Sequence, residues 1–408
     1  MLKRAPGYLL TKLQSQYYLL PYGQRIADFY HGFSLNETGA EIWNLINDGN
    51  SEEDIINRFL MKEEIQEADK AEVTEDVRLF LHTFLEKGLL EEAAANKTVN
   101  NPRNAEAVSL DNISLPYLGT LKIADLSIRI ECNEDLLSDD FSKFLIQEET
   151  ARDKADQILS IHKLDVDEQL EIKNNDCVLI RDYLLNIIER KNCYELQYPS
   201  FRNIRYTRVL KNGSKAEMYY YPCDAEKLKY EVFHAERLVF LLLALRHNMI
   251  AIHSASILYQ GKAWLFSAPS GTGKSTHTKF WHDLYQVPYL NGDLNLMGFE
   301  NGEVIVYGMP WCGTSGIATT EKYPLGGIVL LQRDERNFVE ELAPDQQQLG
   351  IFQRLISPTW LPEQVEKELD LCGKIIHQVP VMRLHCTNNP DAAEVMKDAI
   401  DHSLKKSL

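Results

Sequence analysis

Residues 266–281 read FSAPSGTGKSTHTKFW. An apolar, strand-like run gives way to a loop of small residues, then to Gly273-Lys274-Ser275-Thr276 and a segment of helical character. The pattern G-x-x-x-x-G-K-[ST] describes a loop whose backbone N–H groups cradle phosphates at a helix N-terminus. Ala268 stands in place of the first glycine and the rest of the pattern is met. Ser270, Gly271, Thr272, Gly273, Lys274, Ser275 and Thr276 are therefore the expected nucleotide-binding residues. The two glycines allow tight curvature. Lys274 offsets charge on the β/γ oxygens, and Ser275 offers a hydroxyl to Mg²⁺. The expected ligands are ATP or GTP together with Mg²⁺.

Three neighbouring features extend this reading. His253 lies on the first strand of a hairpin, MIAIHSASILYQGKAWLFSAP, whose second strand delivers the loop. YLNGDLN places Asp293 after an apolar run, where a metal-binding carboxylate belongs. YGMPWCG, residues 307–313, is a rigid turn whose Gly308, Pro310, Trp311 and Gly313 are expected to shape an acceptor pocket. Strands alternate with helices through this half, which argues an α/β core over residues 230–408. Arg333 in QRDERN is placed to reach the site, whereas Cys312 has no obvious His/Asp partner and reads as a small buried thiol.

In order and spacing, IHSASILYQGKAWLFSAPSGTGKSTHTKFW, LNGDLN and VYGMPWCG resemble the catalytic domain of the HPr kinase/phosphorylase superfamily, most of all the related kinases of peptide-modifying gene clusters. That superfamily shares its core with phosphoenolpyruvate carboxykinase. The resemblance implies a P-loop HPr-kinase-like core and phosphorylation of a serine or threonine hydroxyl. It also implies that the protein can assemble as a homo-oligomer. The family usually carries two adjacent acids where this chain has Gly292-Asp293. One acid normally holds the metal and the other takes the hydroxyl proton. Asp293, His253 and Lys274 are the expected catalytic residues, with Ser275 and Asp293 on the metal. Whether Asp293 or His253 is the base stays open.

The first ninety residues have their own rhythm. Strand-like runs GYLLTKL, QYYLLPYG and ADFYHGFSL precede helices that start at Asn36, Ser51 and about Glu72. Asn36 suits an N-cap, and Ser51-Glu52-Glu53-Asp54 puts acids in a first turn. FSLNETGAEIWNLI and VTEDVRLFLHTFLEKGLL resemble the PqqD-like domain, which binds the leader segment of a ribosomally made precursor peptide. The expected module over residues 1–92 is a winged-helix-like βββααα fold. An unpaired sheet edge accepts an extended peptide. The expected leader-binding residues are Asp28, Phe29, Tyr30, His31 and Phe33 on the edge, with Val77, Phe80, Leu81 and Phe84 on the adjoining helix.

Residues 93–108 are polar and Pro-containing and read as a linker. Residues 109–229 read as a β-rich domain of the second half, with LLNIIERK open between helix and strand. The expected fold class is α+β and α/β multidomain. The charge balance of −17 speaks against a nucleic-acid partner. The seven cysteines are scattered without a CxxC pair, as in a reducing compartment. The start lacks a signal-peptide pattern, and LVFLLLAL at 238–245 is too short to span a bilayer, so a cytoplasmic protein without a membrane partner is expected. The leading expectation is a peptide kinase whose precursor substrate is held by the front module, acting beside other enzymes of one pathway. The alternative is a nucleotide-binding protein that delivers the precursor to a partner enzyme.

Overall fold

The computed structural model describes residues 1–28, 31–46, 50–62, 65–92, 108, 110, 115–146, 148–167, 171–269 and 271–406. They form two compact units. One comprises Met1–Arg103 with Thr359–Val365, the other Asn104–Pro358 with Glu366–Leu408. Nearly all of the 93–108 segment lies outside the described residues, as does Gly49.

In the first unit, β1 (Leu2–Arg4) pairs antiparallel with β5 (Leu90–Glu92). A three-stranded sheet has the order β2 (Tyr8–Leu13), β3 (Gln16–Pro21), β4 (Phe33–Leu35). Helices α1 (Gln24–Ala27), α2 (Glu37–Leu45), α3 (Glu52–Lys62) and α4 (Lys70–Glu86) complete it. The caps follow the sequence: the Gly39 N–H donates to Asn36 Oδ1 at 2.8 Å, and the Asp54 N–H donates to Ser51 Oγ at 3.1 Å. Leu19, Trp43, Ile55, Val77, Leu81 and Phe84 close one core. The expected strand ADFYHGFSL is corrected here. Its first residue, Ala27, ends the short helix α1, and Asp28 is that helix's C-cap; the helix forms because Gly23 at φ +57° turns the chain and the Arg25 and Ile26 N–H groups donate back to Tyr22 and Gly23. Among the described residues of the run, Phe33–Leu35 alone is strand. β1 and β5 are three residues each, too short to show a period-two pattern.

The second unit holds two large sheets. The first has nine strands: β6 (Tyr117–Ile123), β7 (Leu126–Cys132), β8 (Leu145–Ile146), β9 (Gln157–Lys163), β10 (Cys177–Arg181), β11 (Asn186–Glu189), β12 (Cys193–Gln197), β13 (Ile204–Leu210) and β14 (Lys215–Tyr220). LLNIIERK contributes the strand β11. Helix α5 (Ala225–Arg246) packs on β13 and on β15 (Ile250–Tyr259) of the second sheet. That sheet continues through β16 (Lys262–Ser267), β17 (Leu294–Glu300), β18 (Glu303–Tyr307), β19 (Lys322–Arg333), β20 (Phe338–Glu341) and β21 (Val381–Cys386).

Two long strands close this sheet on itself. The first half of β15 pairs with β17 and its second half with β16. β19 begins against β18 and then runs parallel to β16 and β21. Its side chains point alternately to opposite faces. Ile328 and Leu330 pack with α7 (Pro344–Phe352) and α8 (Pro362–Ile376), through Ile351, Leu371 and Ile375. Val329 and Leu331 pack with α6 (Lys274–Tyr285) and α9 (Asp391–Lys406), through Trp281, Met396 and Ile400.

α5 is buried almost all round, and Glu236 is carried inward with it. Neither of its carboxyl oxygens has a hydrogen-bond partner among the described residues, and burial lifts its pKa to about 8. The folded state therefore keeps a proton that the unfolded chain loses above pH 4.5 or so. This group favours folding most at acid pH. Its contribution is lost at about 1.4 kcal/mol per pH unit as pH rises to about 8. Glu236→Gln removes the titration. The variant is expected to melt at least as high as the parent at pH 8, with a flatter dependence of melting temperature on pH between 5 and 8, read by calorimetry.

Candidate functional site

Residues 268–273 link β16 to α6, and the conformation depends on glycine. Gly271 has φ +74° and Gly273 φ +114°, both in the region closed to ordinary side chains. Arg333, at the end of β19, donates from Nη2 to the Gly271 carbonyl. Ser270 lies outside the described residues. Lys274, the first residue of α6, is only 8% exposed, and its ammonium makes no hydrogen bond or ion pair among the described residues. Burial pushes its pKa down, opposed by Asp293 and aided by Arg354. Ser275 is exposed and Thr276 partly so. His277 packs below the loop with Nδ1 unpartnered, and burial lowers its pKa to about 4, so it is neutral.

The strand pairing brings the sequence-predicted residues together. His253 on β15 lies across from Leu294 on β17, and its Nε2 is 3.1 Å from Asp293 Oδ1. That hydrogen bond is the main reason the Asp293 pKa is lowered. Desolvation opposes it, and the charges of His253, Lys274 and Arg237 add to it. Beneath the pair, Ser256 Oγ donates to Asn295 Oδ1 at 2.7 Å. Asn295 Nδ2 donates to the Ser254 carbonyl at 2.7 Å, and Asn291 Nδ2 to Asn295 Oδ1 at 3.0 Å. All four side chains are fully or almost fully buried.

Gly292 has a steric cause. A Cβ there would lie 1.9 Å from Ser315 Oγ, which is itself held by a 2.7 Å hydrogen bond to the Cys312 carbonyl. The space a second acid would need is thus filled by the 312–317 turn. Gly313 closes on Asp293 from the same turn: a side chain at 313 would meet the carboxylate at 3.0 Å. Gly308, Pro310 and Trp311 are buried. The Trp311 indole donates to the Phe233 carbonyl at 2.8 Å and packs among Phe141, Phe233 and Phe240.

Two arginines were missed by sequence reasoning. Arg237 of α5 and Arg354, just after α7, are both half-buried, and burial lowers the pKa of each. The Arg354 carbonyl accepts the His253 N–H at 2.9 Å. Arg237 was legible as a cation inside an otherwise apolar helix run, whereas Arg354 gave no signal. Ser275 and Asp293 offer hard oxygens suited to Mg²⁺, which brings its own waters and phosphate ligands. Among the described residues no cluster of three or more His, Cys, Asp or Glu could hold a metal alone.

In the first unit, β4 pairs with β3 alone among the described strands, so its outer edge is open. Phe33 lies on that strand, half-buried, with Lys87 Nζ 5.2 Å from its ring centre. Asp28 caps α1 and is off the edge; His31 precedes the strand and is exposed. Phe29 and Tyr30 lie outside the described residues. On α4, Val77, Leu81 and Phe84 belong to the core, which corrects their expected place on a peptide-facing surface. Phe80 is half-buried and stacks on Phe84 at 4.0 Å, and Leu79 is 65% exposed.

The first unit is thus a small α+β module in whose three-stranded sheet the outer edges of β4 and β2 are both unpaired among the described strands. Residues 28–90 of it are a PqqD domain, matching the family Coenzyme PQQ synthesis protein D (PqqD). Among solved structures the chain is similar to TbiB1 in complex with the TbiA(beta) leader peptide, at 25% identity over 23% of this chain and 99% of that one, with a TM-score of 0.19. It is also similar to the HPr(Ser) kinase/phosphatase from Coxiella burnetii, at 14% identity over 39% of this chain and 99% of that one, with a TM-score of 0.24. No curated protein matches the chain. Among the described residues no helix is long and apolar enough to cross a membrane.

The fit between Gly292 and Ser315 yields a test. Gly292→Asp, which would recreate an adjacent acid pair, overpacks the turn at a cost of about 1–3 kcal/mol. It should lower the melting temperature, and Ser315→Gly added to it should recover most of the loss. Thermal denaturation of the single and double variants reads the outcome.

Proposed function

We propose that this protein is an ATP- or GTP-dependent, Mg²⁺-requiring peptide kinase whose substrate is a precursor peptide, held through its leader by the PqqD domain. The observation that carries the reading is the setting of the His253–Asp293 pair. A 3.1 Å hydrogen bond joins two groups beside a glycine-shaped loop and a buried, unpartnered Lys274. Burying an ammonium without a partner is costly. A site that sets Lys274 and Arg237 toward one carboxylate, with Arg354 beside Lys274, in a chain of charge −17, suits a polyphosphate.

In the proposed reaction the hydroxyl oxygen of a substrate Ser or Thr bonds to the terminal phosphorus. The bond from that phosphorus to the bridging oxygen breaks, and the nucleoside diphosphate leaves. The hydroxyl proton passes to Asp293 or His253, which are within one hydrogen bond of each other. Ser275 and Asp293 would hold Mg²⁺, which supplies charge neutralisation on the phosphate oxygens. Lys274 and the loop amides fix the phosphates, and Arg333 braces the loop through Gly271. Phosphoryl transfer depends mostly on such positioning, so one acid suffices. The front module adds the leader as a strand on the open edge of β4, with Phe33, Leu79 and Phe80 as apolar contacts.

The purified full chain, incubated with Mg·ATP and a synthetic precursor peptide that carries a leader and a Ser- or Thr-containing core, is expected to add one phosphate to that peptide, read by mass spectrometry. An unchanged mass, with tight peptide binding and nucleotide bound, would favour the delivery reading. Lys274→Ala is expected to cut transfer by at least about 10²-fold while leaving peptide affinity within twofold. Loss of both would break the proposed division of labour.

A further inference from the structure

The proposed site contains one cation that neither the loop nor the acid pair uses. Arg237 is half-buried on α5 and has no hydrogen bond or ion pair among the described residues. Its neighbour Glu236 points elsewhere, into the apolar interior near Tyr198, and is kept neutral there. It therefore does not neutralise the guanidinium.

The backbone sets where Arg237 faces. Phe233, Arg237 and Phe240 recur at i, i+4 and i+7, on one side of the helix. Phe233 and Phe240 both pack on Trp311, and the Phe233 carbonyl takes the Trp311 indole N–H at 2.8 Å. Trp311 opens the turn that carries Gly313 against the Asp293 carboxylate. Arg237 thus shares the side of α5 that packs on Trp311, and its charge is felt at Asp293. Asp293 does not saturate it: no ion pair joins the two, and Asp293 Oδ1 is engaged by His253. A guanidinium withheld from water without an acceptor is set up for an anion with several oxygens.

We propose that Arg237 grips the terminal phosphoryl group of the bound nucleoside triphosphate, on the acceptor side of the site. The assignment rests on the nucleotide reading given above. Lys274, next to Arg354, holds the phosphates from the loop side. Arg237 approaches from α5 and spreads the charge that collects on the transferred group, the part an arginine plays in other phosphoryl transfers. It makes no contact with a diphosphate, whose terminal group has gone.

The test compares triphosphate with diphosphate on the full chain. Mg·ATP and Mg·ADP, with Mg·GTP and Mg·GDP in parallel, are titrated calorimetrically into the wild type and Arg237→Gln. The wild type should prefer triphosphate, and the variant should lose that preference by about 10- to 100-fold, with diphosphate affinity within twofold of wild type. A wild type that binds neither pair overturns the nucleotide reading itself. A wild type that binds, with a variant that keeps the same triphosphate-to-diphosphate ratio, overturns only the role of Arg237. An equal loss for both nucleotides does so too. Should Arg237→Gln fail to fold, phenylglyoxal labelling of the wild type decides: Mg·ATP is expected to shield Arg237 from modification and Mg·ADP to leave it reactive. Equal labelling in the two states overturns the assignment.

Discussion

The geometry of the His253–Asp293 pair rests on a buried polar seam between β15 and β17. Ser254 and Ser256 point from one strand, and Asn291 and Asn295 come from the other strand and its approach. A buried amide or hydroxyl is costly when unpaired and valuable when fully paired. The Ser256–Asn295 and Asn295–Ser254 bonds have good partners only in one register of the two strands. A slip by one residue would turn every side chain to the opposite face and leave these groups unmet. The register that satisfies them also sets His253 beside Asp293 and the Asp293 carbonyl on the Ser254 N–H at 3.0 Å. Specificity of strand pairing and placement of the His253–Asp293 pair are therefore one constraint.

The electrostatics of the site follow from burial more than from charge count. The chain as a whole is acidic, yet Lys274, Arg237 and Arg354 are all drawn out of water within one small region, and desolvation leads the pKa shift of each. Cations stripped of water gain most from a multivalent anion, because the lost hydration is repaid by several oxygens at low local dielectric. Asp293 is held ionised chiefly by its bond to His253. With Ser315 filling the place beside Gly292, the site carries a single carboxylate as a built feature of the 312–317 turn. The sum is a cationic cluster with one acid.

Much of this was legible because the motifs are local. The loop at 268–275 announces itself through glycines that only positive φ requires, and Asn36 and Ser51 mark helix starts through short side-chain-to-backbone bonds. What stayed hidden depends on distant packing. Nothing in the sequence ties Arg354 to Lys274, or Ser315 to Gly292. Trp311 was read toward an acceptor pocket, but its indole turned to the Phe233 carbonyl. On α4, apolar spacing alone could not separate side chains that face the core from those that face a groove. Val77 and Leu81 look the same as Leu79 until the sheet is placed. α1 was missed because four residues carry too little periodic signal to compete with a β-prone composition.

The correction on α4 changes how the front module must work under the proposed function. With Val77, Leu81 and Phe84 committed to the core, the apolar side chains among the described residues that can meet a peptide there are Leu79, Phe80 and Phe33. Such a small patch gives modest affinity. Main-chain hydrogen bonding along β4, only three residues long, gives little more. Strong binding in isolation is not what this arrangement provides. A weak hold is enough, however, when its task is to keep a substrate near a second site on the same chain, since tethering raises local concentration to the order of millimolar. A weak hold also lets the modified peptide leave. Capture and release are then balanced by the size of the exposed edge, and the core that shrinks the patch is the same core that keeps so small a module folded.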